Sequence, residues 1–224
     1  PATLEGSAHL PAHAGEMYAL PADGLYLSPT AEAQLVGMVE GRLMSERELP
    51  LAYAAATPCY RREAGSAGAA MRGLLRQHQF EKVELVRVAR SEDAEAELAR
   101  ILADAEGPLR ALGLHYRVVA LCAGELPFAA ECAYDIEVWL PGEARFVEIS
   151  TVSLCGEFQA RRLNARYKPA GGRATRHPVT LNASALPIGR TIAALLEAGQ
   201  QLDGTVELPP ALASRVGAPA LSPR

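Results

Sequence analysis

Between Leu25 and Asn182, strand-like segments follow one another through short turns, with few helical segments between them. That spacing constrains the fold more than any other feature. Parallel neighbours need a crossover of a dozen or more residues, usually a helix, whereas antiparallel neighbours need only a turn. Residues 25–28, 54–63, 76–90, 116–122, 133–140, 145–150 and 179–182 read as strands, and Pro141-Gly142 makes a turn. A helix is expected from Thr30, a plausible N-cap with Glu32 in the first turn, to about Ser45. Others are expected over 91–112, stopped by Gly113, over 159–167, and over 187–201 with proline at the start. Residues 1–24 look irregular, 168–178 read as a loop, and 214–224 read as a tail. The expected class is α+β: a mostly antiparallel sheet flanked by helices.

Composition removes several functions. No stretch approaches the ~18–20 apolar residues that cross a bilayer, so a membrane partner is not expected. The formal net charge of −4 argues against a generally basic nucleic-acid binder but permits a local patch. Cys59, Cys122, Cys132 and Cys155 form no CxxC pair, which reads as reduced thiols of a cytoplasmic protein. The histidines show no zinc spacing. The chain opens at Pro1 with no initiator Met and no visible signal peptide, as expected of part of a longer protein.

Three segments carry side chains fit for chemistry. Alternate residues of a strand share a face, so Arg61 and Glu63 point one way and Arg62 the other. Across the hairpin, Arg76, His78, Phe80, Lys82 and Glu84 share a face. The arginines suit phosphate or carboxylate, Phe80 suits a purine, and Glu84 suits an ammonium group. A plain antiparallel pair with cross-strand salt bridges explains the same pattern. In Phe146-Val-Glu-Ile-Ser-Thr, Val147 and Ile149 would face the core and leave Glu148 and Ser150 on the other side. Oxygen ligands of that kind suit Mg²⁺ on a nucleotide, or simply a polar outer face. From Thr180 to Arg190 a strand passes through small residues into a helix whose first turn carries an arginine. The one concentration of positive charge is Arg161, Arg162, Arg166, Lys168, Arg173 and Arg176, which suits RNA or solvent equally.

Taken together and in this order, the segments resemble the catalytic core of the seryl-tRNA synthetases, a class II aminoacyl-tRNA synthetase family. The matching blocks are Thr30-Ala-Glu32, Thr57 to Gly68, Arg72 to Glu84, Tyr134 to Gly142, Glu148-Ile-Ser-Thr151, Phe158 to Arg162, and Thr180 to Asn182 with Gly189-Arg190. The resemblance covers residues 1–212 and implies a class II catalytic domain followed by a tail over 213–224. It also implies ATP-dependent activation of L-serine to seryl-adenylate and transfer to serine tRNA, with Mg²⁺ as the ion and a homodimer as the full-length form. A synthetase-like paralogue that adenylates serine or a similar amino acid for a non-tRNA acceptor is the alternative.

By the same resemblance, serine binds at Thr30, Glu32, Arg61, Glu84, Asn182 and Ser184. ATP binds at Arg61, Arg62, Glu63, Arg76, Phe80, Glu148, Ile149, Ser150, Thr151 and Arg190. Glu148 and Thr151 hold the metal, and Arg61, Arg190 and Glu148 are catalytic. The chain departs from the family in several places. The N-terminal coiled-coil arm and the dimer-forming segment have no counterpart, so either the chain is the catalytic part of a longer protein or it is an armless relative. Ala69 and Ala70 stand in the hairpin loop where charged residues are usual, Ala183-Ser-Ala185 replaces a Gly-Ser-Gly, and Leu154 replaces an Asn.

Overall fold

A computed structural model describes residues 1–64 and 73–223. The hairpin loop with Ala69 and Ala70 lies outside the described residues. The chain starts with helix α1 (Ala2–Gly6), the small hairpin β1 (Ala19–Leu20) and β2 (Leu25–Tyr26), and helix α2 (Glu32–Gly37). Strands β3 (Leu43–Ser45), β4 (Leu51–Tyr60) and β5 (Gln79–Ala89) follow, then helix α3 (Ala94–Ala111). After them come β6 (Tyr116–Ala120), β7 (Cys132–Leu140), β8 (Arg145–Leu154) and α4 (Phe158–Arg162). The chain closes with β9 (Arg166–Lys168), β10 (Val179–Pro187), α5 (Ile188–Gly199), β11 (Val206–Glu207), α6 (Pro210–Val216) and β12 (Ala220–Leu221).

The expected antiparallel sheet is present. It has six strands in the order β4-β5-β10-β8-β7-β6, and every neighbouring pair is antiparallel. One face buries Ile136, Val138, Leu140, Val147, Val152 and Leu181 against Leu98, Ile101, Ala105 and Leu109 of α3 and Ala194 of α5. Each valine, leucine or isoleucine side chain among these contributes about 1.5–3 kcal/mol when taken from water. The opposite face is apolar at one end only. There Val86 and Val88 pack with Leu35, Val36, Met44, Leu163 and Tyr167. Along β5 the same face carries Phe80, Lys82 and Glu84 before it reaches those valines, so polar groups sit directly beside a packed core.

Four expectations need correction. The helix begun near Thr30 stops at Gly37, and Gly41 turns the chain at φ +66°. Residues 43–45 then form a strand paired in parallel with β9, so tertiary pairing overrides a helical pattern of apolar residues. Thr30 does not cap α2 either: Ala31 holds that position, and the threonine is buried. The basic helix is only α4; Asn164 breaks it at φ +54°, and Arg166 to Lys168 are extended. Residues 214–223, expected as a tail, hold the end of α6 and β12, which pairs with β11.

β8 and β10 each carry a β-bulge. Ile136 pairs with Ser150 and Glu137 with Glu148, which leaves Ile149 without a partner in the register. In the same way Ser184 pairs with Glu84 and Leu186 with Val83, which leaves Ala185 over. A bulge re-aims the side chains beyond it. Simple alternation would put Glu148 and Thr151 on opposite faces; here both line one cavity.

Candidate active site

The polar end of the second face opens into two adjoining cavities. The larger, of about 320 Å³, is lined among others by His9, Thr30, Glu32, Glu84, Phe128 and Asn182. The smaller, of about 80 Å³, is a slot between Glu63, Arg76, Phe80, Pro187 and Arg190. Arg61, Lys82, Glu148 and Ser184 line both and mark the junction.

The larger cavity owes its shape to hydrogen bonds between distant parts of the chain. Glu84, 1% exposed on β5, accepts at Oε2 from the Thr30 hydroxyl at 3.1 Å and from the Lys82 ammonium in a close ion pair. Lys82 Nζ also donates to Ser184 Oγ at 3.0 Å. Arg61 Nε donates to the Pro29 carbonyl at 3.1 Å, which ties the loop before α2 to the hairpin. Glu32 Oε1 accepts from Gln159 Nε2 at 2.8 Å and from Asn182 Nδ2 at 3.1 Å. Gln159 in turn accepts from Thr180 Oγ1 at 2.7 Å, so α2, α4 and β10 share one network.

Burial dominates the titration of these groups. It pushes the Glu32 and Glu84 carboxyls above the usual carboxylate range, with Gln159 and then Lys82 opposing at Glu32 and Lys82 opposing at Glu84. His9 Nε2 lies 3.8 Å from Glu32 Oε2. Burial, and then the charge of Arg61, pull that imidazole down to about 4, so at neutral pH the contact is polar and not an ion pair. The wall of this cavity carries three carboxyls, Glu32, Glu84 and Glu148, and two cations, Arg61 and Lys82, so it offers partners to both ends of a small zwitterion.

The smaller cavity is cationic, with an aromatic wall. Arg61 stacks over Phe80, its guanidinium carbon 5.3 Å from the ring centre. Arg76 pairs with Glu63 at 2.6 Å. Arg190, in the first turn of α5, donates to the carbonyls of Leu75 at 3.1 Å and Glu148 at 2.5 Å, and lies 3.5 Å from the Glu148 carboxylate. On the same face Thr151 Oγ1 donates to Asp135 Oδ1 at 2.7 Å.

The candidate residues therefore divide. Thr30, Glu32, Glu84 and Asn182 come together in the larger cavity, and Thr151 joins them there. Glu63, Arg76, Phe80, Ile149 and Arg190 come together in the smaller one, and Arg61, Glu148 and Ser184 at the junction. Two lie elsewhere. Arg62 is exposed and lines neither cavity. Ser150, expected beside Glu148, is turned inward by the bulge and donates to the Ser184 carbonyl. Lys82, Gln159, Ser153, Cys155, His9 and Phe128 gained no role from the sequence, although Lys82 stood on the right face by strand alternation.

An all-antiparallel six-stranded sheet with an arginine-bearing hairpin and a helix-borne arginine over one end is the architecture of a class II tRNA synthetase core. The chain belongs to that family: residues 19–199 match the tRNA synthetase class II core domain (G, H, P, S and T). Among its relatives, the serine–tRNA ligase of Novosphingobium aromaticivorans is 51% identical over 95% of this chain and 50% of the relative. That of Synechococcus elongatus is 50% identical over 94% and 49%. The chain thus spans about half the length of the curated relatives it matches. In structure it is similar to seryl-tRNA synthetase from Pyrococcus horikoshii complexed with ATP: TM-score 0.95, 38% identity, covering 100% of this chain and 50% of that one.

Proposed function

We propose that residues 1–212 are the catalytic core of a serine–tRNA ligase, which activates L-serine with ATP and passes it to serine tRNA. The observation that carries this reading is the junction of the two cavities. A zwitterion in the larger one and a polyphosphate in the smaller one would meet at Arg61, Lys82, Glu148 and Ser184. Glu84 and Glu32 would hold the serine ammonium, with Thr30 and Asn182 fixing those carboxylates. Ser184 would meet the serine hydroxyl. Phe80 would stack on adenine, and Arg76 and Arg190 would exchange Glu63 and Glu148 for phosphate oxygens.

The first step is an in-line displacement. A serine carboxylate oxygen bonds to the α-phosphorus as the bond to the bridging oxygen breaks, and pyrophosphate leaves. Arg61 stabilises the charge that grows on the phosphoryl oxygens, and no protein nucleophile is needed. In the second step a 3′-terminal ribose hydroxyl of tRNA takes the seryl group and AMP departs. Mg²⁺ fits the donor set at the bulge of β8. Glu148 and Thr151 offer hard oxygens there, and this ion is usually held by one or two carboxylates together with substrate phosphates and water. When bound it would neutralise phosphate charge. Among the described residues there is no group of three or more His, Cys, Asp or Glu that could hold a metal unaided.

We place the activity in the cytoplasm and the full-length protein in a homodimer. Among the described residues no helix is long and apolar enough to cross a membrane. In the assay of serine-dependent ATP–pyrophosphate exchange, Arg61→Ala should lower the rate by at least about a hundredfold. Near-normal exchange in that variant would refute the assignment. Exchange without charging of serine tRNA would select activation for another acceptor.

A further inference from the structure

Lys82 is a buried cation, 6% exposed, at the junction of the two cavities. Its ammonium touches Glu84 Oε2 and Ser184 Oγ, across the pairing of β5 with β10. An ammonium has only donors, so Ser184 Oγ must accept from it. The single hydroxyl hydrogen of Ser184 is then left to point at another acceptor. Both contacts of Glu84 among the described residues fall on Oε2, which leaves Oε1 for a ligand donor.

We propose that Lys82 is a positioning residue for substrate choice: held by Glu84, it fixes the Ser184 hydroxyl as a donor into the larger cavity, where it selects a ligand bearing a side-chain hydroxyl. This rests on the serine-activating reading. A serine hydroxyl accepts the Ser184 hydrogen and donates its own to Glu84 Oε1. An alanine methyl satisfies neither group, and sites built to bond a hydroxyl reject the analogue that lacks it. The β10 bulge at Ala185, immediately after Ser184, belongs to the same device. The Ser150 hydroxyl donates to the Ser184 carbonyl and pins the backbone there.

The test measures binding of the non-hydrolysable sulfamoyl analogues of seryl- and alanyl-adenylate by calorimetry. Wild type must first prefer the seryl analogue; no preference there sinks the serine-activating reading itself. With that preference established, Lys82→Met should lower the seryl-to-alanyl ratio by at least about tenfold. In a Ser184→Ala background the same change should have no further effect on the ratio, because Lys82 acts through that hydroxyl. An unchanged ratio in Lys82→Met, or losses that multiply in the double variant, would overturn the proposal. If removing the partner of buried Glu84 unfolds Lys82→Met, Lys82→Arg carries the test. Its guanidinium is also donor-only and should keep the preference within about threefold; a folded Lys82→Arg protein without the preference overturns the idea.

Discussion

His9 illustrates what burial does to a single residue in this site. Its Nδ1 lies 2.9 Å from Ser7 Oγ, its Nε2 faces Glu32, and burial first, then Arg61, lower its pKa to about 4 from an ordinary 6.5. Between those values the unfolded chain holds more protons than the folded one, so stability rises with pH across that window. The contribution of a neutral His9 is therefore complete above pH ~6.5 and is lost as pH falls toward 4. Urea unfolding of His9→Gln should lose less stability than wild type between pH 7 and 5. An imidazole that titrates at 6 or above by NMR would contradict the burial account. Nothing in the sequence singled out His9, because the contact that matters runs to Glu32 on another element. Glu84 and Phe80 were legible because period-two alternation in β5 fixes their face, whereas Gln159 reaches Glu32 only through the placement of α4.

At the scale of elements, alternation worked where strands are regular and failed where they bulge. Reading β8 as a plain strand put Ser150 beside Glu148; the extra residue Ile149 puts Thr151 there and buries Ser150. Thr151→Val should raise the Mg²⁺ concentration that half-saturates exchange by several-fold at little cost in stability. Ser150→Ala should instead cost about 1–2 kcal/mol of unfolding free energy, for the lost bond to the partly buried Ser184 carbonyl, with the Mg²⁺ midpoint unmoved. The reverse pattern would mean that the bulge does not set which hydroxyl faces the site. The C-terminal segment was misread because α6 and the short strands β11 and β12 depend on docking. A Cβ on Gly199, at the end of α5, would stand 2.3 Å from the Glu207 carbonyl oxygen. Gly199→Ala should thus cost about 1–3 kcal/mol, about 2–4 °C in thermal midpoint for each kcal/mol. An unchanged midpoint would argue against that docking.

For the molecule as a whole, the antiparallel character of the sheet followed from turn lengths, but the insertion of β10 between β5 and β8 and the parallel β3–β9 pair did not, since those partners are far apart in sequence. That pair presents Arg166 and Lys168 as exposed, alternating residues, with Arg173 and Arg176 exposed beside them. Arg161 and Arg162 are occupied, the first with Glu157 and the second with the Glu5 carbonyl. If this edge meets tRNA, Arg173→Glu with Arg176→Glu should weaken binding and flatten its dependence on salt. Unchanged affinity would leave the edge as a solvated surface. On the proposed function, one junction brings a zwitterionic amino acid and ATP together for adenylate formation. ATP–pyrophosphate exchange by this chain, run with each proteinogenic amino acid in turn, tests it most directly. Exchange is expected with serine, little with alanine or threonine, and none without a divalent cation; no exchange with serine, or exchange driven by a different amino acid, would overturn that reading.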